Sequence, residues 1–288
     1  MIISVVLCEG VHDIAFISKI LCAYGCMEYK RKIKDYPFPV NDQIKNNYAK
    51  DAIGEKIIGS GPDSPFVPKA VYTDGRKLIF FHNLNGDADT EKRYELIEQY
   101  QKNKIALKFK NPDEIEKFEF YLFYDADDLG VEGRLDWIKN RFAGKFRIAA
   151  GDIAQGKKVC VQDITLGTYV FHKPHSNASE QKNIQKGTLE DQLLALMHID
   201  NGALFQKAAK FLDANILEPE RTKEYDAKQD KYVGSKKYKP KKSQISVAGQ
   251  LQFSGMNNSV IILKSDYIKK QTILQDIECK RIAEMILE

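Results

Sequence analysis

The chain has 288 residues, of which 43% are hydrophobic and 29% charged, so it can bury a sizeable core and does not have the composition of a disordered protein. No apolar run is long enough to cross a bilayer, and the apolar start at residues 2–7 lacks the basic beginning and cleavage site of a signal peptide. The five cysteines are odd in number and follow no regular spacing, which favours free thiols in a reducing compartment. These features predict a cytoplasmic protein that does not span a membrane.

The first residues predict a strand, a turn and a helix. Residues 2–8 are continuously apolar and rich in β-branched side chains, as in a strand buried on both faces of a parallel sheet. Glu9 and Gly10 form the turn. From about His12 onward apolar residues recur at helical spacing, and Gly25 is expected to end this helix.

The rest of the chain alternates strands with helices. Residues 31–75 are broken by prolines and glycines, with room for one helix within 40–58. Further strands are predicted at 77–82, 118–124, 158–164 and 168–172, the last two as a pair joined at Gly167. Further helices are predicted at 90–103, 135–142, 203–214, 245–253 and 268–287, and one begins at a capping box made by Thr188 and Asp191. Residues 105–110 suggest a short strand or tail, and 218–239 a charged excursion.

Strands that alternate with helices indicate an α/β protein with three layers and a mostly parallel sheet. The C-terminal hundred residues look mainly helical. We predict one α/β domain over residues 1–175. A mainly helical region over residues 176–288 is expected to pack on that domain.

Acidic residues follow two of the predicted strands, and loops at the carboxyl ends of parallel strands converge on one edge of a sheet. Glu9 follows the first strand and Asp13 lies about one helical turn beyond it, whereas Asp125 and Asp127 follow the strand at 118–124. Several hard oxygen ligands in one place suit Mg²⁺ or Mn²⁺. Each Asp taken alone could also be an ordinary turn or helix-cap residue. The combination predicts a metal site.

These two segments resemble the motifs of the Toprim family. Residues 6–13 are similar to the first motif, an apolar strand that ends in Glu-Gly with an acid shortly after. Residues 121–127 are similar to the second, an apolar strand that ends in Asp-x-Asp. The resemblance covers roughly residues 1–165. Because the two motifs are farther apart than in a minimal Toprim domain, it implies that residues 31–75 are largely an insertion. It implies a Toprim-like three-layer fold and Mg²⁺-dependent chemistry on the phosphodiester bonds of nucleic acid.

Within that family, the acid four residues after Glu9 resembles the arrangement in the overcoming-lysogenisation-defect (OLD) nucleases. The resemblance implies hydrolysis of DNA or RNA with one or two metal ions. The implied metal ligands are Glu9, Asp13, Asp125, Asp127 and Glu190. Glu9 could instead act as general acid or base, and Lys242 would offset charge on the phosphoryl group. Glu190 also stands at a helix start, where the alternative role of a carboxylate is to interact favourably with the helix dipole.

The resemblance carries expectations about partners and biological role. OLD enzymes usually carry an ATPase domain, and this chain has no Gly-x-x-x-x-Gly-Lys-[Ser/Thr] loop, so any ATPase would be a separate chain. A role in conflict with phages or mobile elements is also implied, and a homo-oligomer is compatible with the sequence.

A lysine-rich stretch late in the chain suits a phosphate backbone and predicts nucleic acid as a partner. The lysines expected to contact nucleic acid are Lys236, Lys237, Lys239 and Lys241. A solvated loop is the alternative interpretation of this stretch. Two other functions stay open. One is a Toprim module that binds metal or nucleic acid without cutting, and the other is a nucleotidyl-transfer enzyme of the primase type.

Overall fold

The computed structural model describes nearly the whole chain, namely residues 1–47, 53–59, 64–86, 90–110, 115–161, 164–174, 185–215, 224–233 and 239–288. Its centre is a seven-stranded sheet with the strand order β2-β3-β4-β1-β5-β7-β6. The strands are β1 (Ile2–Cys8), β2 (Met27–Glu28), β3 (Ala70–Thr73), β4 (Lys77–Asn83), β5 (Lys117–Asp125), β6 (Lys157–Val161) and β7 (Ile164–Phe171). The four central strands β4, β1, β5 and β7 are parallel. On either side of them β3 pairs antiparallel with β4 and β6 with β7, and β2 pairs antiparallel with β3.

Helices cover both faces of this sheet. They are α1 (Val11–Ala23), α2 (Val40–Asn46), α3 (Thr90–Lys110), α4 (Gly130–Phe146), α5 (Leu189–Ala214), α6 (Pro240–Gln252), α7 (Asn258–Lys264), α8 (Lys270–Gln275) and α9 (Ile277–Leu287). A two-stranded hairpin, β8 (Glu224–Asp226) with β9 (Lys231–Val233), lies between α5 and α6.

Two apolar cores, one on each face of the sheet, make this a three-layer α/β protein. Successive residues of a strand point to opposite faces, so Val6 and Cys8 enter one core and Val5 and Leu7 the other. The first core is closed by α1, α5 and the C-terminal helices α6–α9, and the second by α2, α3 and α4. The α/β class, the largely parallel sheet and the helical C-terminal part of the prediction are therefore confirmed, whereas the Toprim-like fold stays a prediction.

Gly167 corrects the predicted strand pair at 158–164 and 168–172. It is not a junction but lies in the middle of β7, which pairs along its length with β5. A Cβ at this position would stand 2.5 Å from Cδ1 of Tyr121. The glycine is there because the tyrosine ring of the neighbouring strand packs against its backbone, and a strand glycine often marks such an approach.

Other element boundaries also differ from the prediction. Residues 105–110 are not a strand or tail but the last part of α3. The helix predicted at 203–214 belongs to α5, which is kinked at Asn201, and that predicted at 268–287 is divided at Asp276. The strand β3 and the hairpin β8–β9 were missed because strands of three or four residues show too little alternation to be recognised.

No helix of the described ranges is both long enough and apolar enough to span a membrane.

Candidate metal and phosphate site

The parallel pairing of β1 with β5 brings the two predicted acidic motifs together. Leu7 pairs with Leu122, so the residue that follows β1 stands beside the end of β5. The backbone N–H of Asp125 donates a hydrogen bond to Oε1 of Glu9 over 3.2 Å. Residues that are 116 positions apart in sequence thus meet at one edge of the sheet.

Four carboxylates line one cavity of about 620 Å³ at this edge. They belong to Glu9, Asp13, Asp125 and Glu190. Asp13 accepts a hydrogen bond of 2.7 Å from the N–H of Gly10, because it is the third residue of α1 and caps that helix. Asp125 accepts one of 2.7 Å from the N–H of Leu189 at the start of α5. Backbone donors at two helix starts therefore fix the directions of these side chains.

Glu190 contacts His12 and Lys242 at the cavity. It is buried, and its Oε1 lies 3.3 Å from Nδ1 of His12 and 3.4 Å from Nζ of Lys242. A carboxylate oxygen can only accept here, so Nδ1 of His12 donates. Burial raises the pKa of Glu190, but the hydrogen bond from His12 and the charge of Lys242 outweigh it and lower the pKa to about 2. Glu190 is thus ionised and holds the His12 ring and the Lys242 ammonium group at the cavity.

The pKa values of Asp13 and Asp125 are shifted in the opposite direction. Burial raises the pKa of Asp125 well above its usual range, and the charges of Asp13 and Glu9 raise it further. Burial also raises the pKa of Asp13, with a contribution from Glu190. Carboxylates crowded in this way repel each other, and a divalent cation is the species that would relieve the repulsion.

The donor chemistry therefore fits a hard cation such as Mg²⁺. As the side chains stand, however, no three His, Cys, Asp or Glu side chains of the described residues are grouped closely enough to hold a metal ion. Asp13 and Asp125 each direct an oxygen to a backbone N–H, as does Glu9. Changes of side-chain rotamer would have to accompany metal binding.

Asp127 does not line the cavity of about 620 Å³, but it lines a neighbouring cavity together with Asp125 and Glu190. It has a left-handed backbone with φ of 48°, exchanges backbone hydrogen bonds with Gly187, and is half exposed. Its carboxylate pairs with Arg134 over 2.9 Å. The chain has thus left the extended conformation of β5 at this residue, and Arg134 engages its carboxylate.

The lysine-rich stretch is only partly described. Lys236 and Lys237 lie outside the described residues. Lys239 and Lys241 are exposed and line a second cavity of about 330 Å³, together with Asp125 and Asp127. The ammonium group of Lys241 also pairs with Asp191 over 2.5 Å.

Two buried arginines near the acidic motifs were missed from the sequence. Nε of Arg134 donates to the backbone oxygen of Asp125 over 2.8 Å and so supports the end of β5. Arg93 stacks 3.9 Å above the ring of Tyr124 and donates to the backbone oxygen of Leu7 over 3.2 Å. Both lie on helices whose sequences carry many charges, and no local pattern separates them from surface arginines.

Comparisons with known proteins add a family and a fold. Residues 3–235 match the model of a family described as protein of unknown function (DUF3226). The crystal structure of a hypothetical protein from Pyrococcus horikoshii OT3 is similar with a TM-score of 0.50 and 18% identity, over 99% of this chain and 95% of that one. No curated protein matches the chain. At this identity the structural similarity supports the fold alone.

Proposed function

This chain belongs to the DUF3226 family, whose function is unknown, and we propose that it is a metal-dependent nuclease that hydrolyses phosphodiester bonds of DNA or RNA. The observation that carries the proposal is the cavity at the sheet edge. Four carboxylates from the ends of two parallel strands and the starts of two helices line it, and Lys242 lines it with them. Clefts at this edge of a parallel sheet are the usual place for a ligand site.

The proposed cation site consists of Glu9, Asp13 and Asp125. Glu190 is less suited to a first ion because it already holds His12 and Lys242, and Asp127 because it holds Arg134. These two carboxylates remain the candidates for a second ion. A bound Mg²⁺ or Mn²⁺ would lower the pKa of water at the site and stabilise charge on the phosphodiester oxygens.

Residues of the chain supply the remaining electrostatics. Lys242 lies on the cavity wall, where its ammonium group offsets negative charge on a phosphoryl group. Glu190 positions Lys242 by the contact of 3.4 Å and positions His12 by the contact of 3.3 Å. Arg134 holds the backbone at the end of β5 and thereby the direction of the Asp125 side chain.

The finer family assignment is part of the same proposal. The strands β1 and β5 lie side by side in a parallel sheet, and acidic residues stand at the end of each, which is similar to the Toprim arrangement. The acid four residues after Glu9 is similar to the arrangement in OLD nucleases. We extend the proposal to a separate ATPase chain as a partner and to nucleic acid as the substrate.

Cleavage assays test this function. Supercoiled plasmid, linear DNA and structured RNA are incubated with Mg²⁺ or Mn²⁺ and with wild type, Glu9→Gln or Asp125→Asn. Both variants should lose at least about 100-fold in rate, because each removes a charge from the proposed cation site. The control is Asp136→Asn, an equal charge change at a residue that is exposed on α4 and should leave the rate unchanged.

The other functions predict different results. Wild type that binds Mn²⁺ in calorimetry but cuts none of the three substrates would support a binding module without catalysis. Synthesis of primers from nucleotides would support the nucleotidyl-transfer enzyme. Cleavage that is equal in wild type and both site variants would refute the proposed site.

A further inference from the structure

Two more cavities continue from the carboxylate cavity. The second, of about 330 Å³, shares Asp125, Glu190 and Lys242 with the first. The third, of about 350 Å³, shares Asp127, Thr188 and Lys241 with the second. Because neighbouring cavities share walls, all three adjoin. We call the second and third cavities together the lysine groove.

The far wall of the lysine groove carries two lysines that the sequence did not single out. Lys173 follows β7 and Lys186 precedes α5, and the backbone N–H of Lys173 donates to the oxygen of Lys186 over 2.9 Å. Both side chains are exposed. Within the described ranges neither ammonium group pairs with a carboxylate, in contrast to those of Lys241 and Lys242.

The two backbone segments that carry these lysines lie in close contact. Gly187 has φ of +122°, and a Cβ there would stand 2.8 Å from the backbone nitrogen of Lys173 and 2.8 Å from Oδ2 of Asp191. Only glycine fits this position without displacement. Gly187 and Asp127 also exchange backbone hydrogen bonds of 2.8 and 3.2 Å. The two lysines are therefore held on one rim and do not extend from a free loop.

Asp128 is exposed and also lines the third cavity, whereas the other acidic residues in the groove are engaged by other groups. Asp127 pairs with Arg134, and Asp191 accepts from the N–H of Thr188 and from Lys241. Lys173 and Lys186 thus remain available to an anion that enters the groove. A phosphate at the carboxylate cavity and a second phosphate at these lysines would belong to one continuous polyanion.

The lining chemistry indicates how such a polyanion is recognised. Among the described residues that line the three cavities there is no tryptophan, tyrosine or phenylalanine on which a base could stack, and no arginine fork for a base edge. Lysine binds phosphate as a point charge. We propose that the lysine groove binds the phosphates that flank the scissile bond of a nucleic-acid strand, independently of sequence, through Lys173 and Lys186. This inference rests on the proposed nuclease function.

Binding measurements test the groove without requiring cleavage. The probe is a fluorescein-labelled oligonucleotide of about 20 nucleotides, single-stranded and as duplex, measured by anisotropy at several salt concentrations in the Glu9→Gln background. Replacing Lys173 and Lys186 together by Gln should weaken binding about tenfold and reduce the slope of log K against log salt by about 2. The control replaces Lys207 and Lys210, which lie on α5 outside the three cavities, by Gln. Equal slopes in both double variants would overturn the inference.

Kinetics separate this inference from the proposed function. With the oligonucleotide as substrate, the groove double variant should raise KM about tenfold and change kcat less, because the lost contacts lie away from the reacting bond. If wild type cuts and the groove and control variants have the same KM, the groove inference fails alone. If wild type cuts nothing, the nuclease proposal fails, and the salt slopes still decide whether the groove binds nucleic acid.

Discussion

His82 should make the stability of this protein depend on pH in a way that can be calculated. The side chain lies at the end of β4 and is fully buried. Its Nδ1 is 2.9 Å from the backbone oxygen of Pro65, so Nδ1 carries the proton, and Nε2 accepts from the hydroxyl of Tyr100 over 3.0 Å. Burial lowers the pKa of His82 from about 6.5 to about 4, because a buried imidazolium has lost its hydration.

The magnitude follows from the two pKa values. Below about pH 6.5 the unfolded chain binds a proton at this histidine, whereas the folded protein does so only below about pH 4. The free energy of unfolding therefore falls as the pH drops and levels off below about pH 4. Above about pH 6.5 both states are neutral and His82 contributes no pH dependence. At about 1.4 kcal/mol per pKa unit, the total loss is about 3 kcal/mol, of which about 2.5 kcal/mol occurs between about pH 7.5 and about pH 4.5.

The variant His82→Asn cannot take up this proton. At about pH 7.5 it should be less stable than wild type, since it loses the contact with Tyr100 and leaves a void. Urea unfolding at a series of pH values should show that this difference shrinks by about 2.5 kcal/mol at about pH 4.5. Tyr100→Phe is the control, because it keeps the titrating imidazole and should keep most of the pH dependence. A difference between wild type and His82→Asn that is the same at every pH would refute the reasoning.

Two more substitutions test the fold and the site. Gly167→Ala should lower the free energy of unfolding by about 1–3 kcal/mol, because the new methyl group meets the ring of Tyr121. The control Gly144→Ala in α4 meets nothing within 4 Å and should raise the free energy of unfolding by up to about 1 kcal/mol. Equal urea midpoints for the two variants would contradict this prediction. In EDTA, Asp125→Asn should have a free energy of unfolding at least about 1 kcal/mol higher than wild type. The reason is that it removes one of several crowded acidic groups and keeps an oxygen for the N–H of Leu189. Asp136→Asn, measured alongside, should shift stability by less than about 0.5 kcal/mol, and a less stable Asp125→Asn protein would count against charge crowding at the site.

Much of the site was predictable because it depends on local sequence. The runs at residues 2–8 and 118–124 are apolar except for Ser4 and Glu119, which is typical of buried strands, and an acid directly follows each run. Thr188 and Asp191 predict a helix start, and the structure has a capping box there. Since parallel strands deliver their carboxyl ends to one edge, the meeting of Glu9 with Asp125 followed from the fold class alone.

The contacts that could not be predicted from the sequence join residues far apart along the chain or depend on close packing. The contact of His12 with Glu190 joins residues 178 positions apart, and no local periodicity records it. The direction of Asp127 follows from a left-handed backbone that pairs with Gly187, and Lys173 and Lys186 meet only because the same segment pairs with the end of β7. Hydrophobic patterning determines which residues are buried, whereas the partners of a polar side chain are determined by which backbones approach one another in the folded protein.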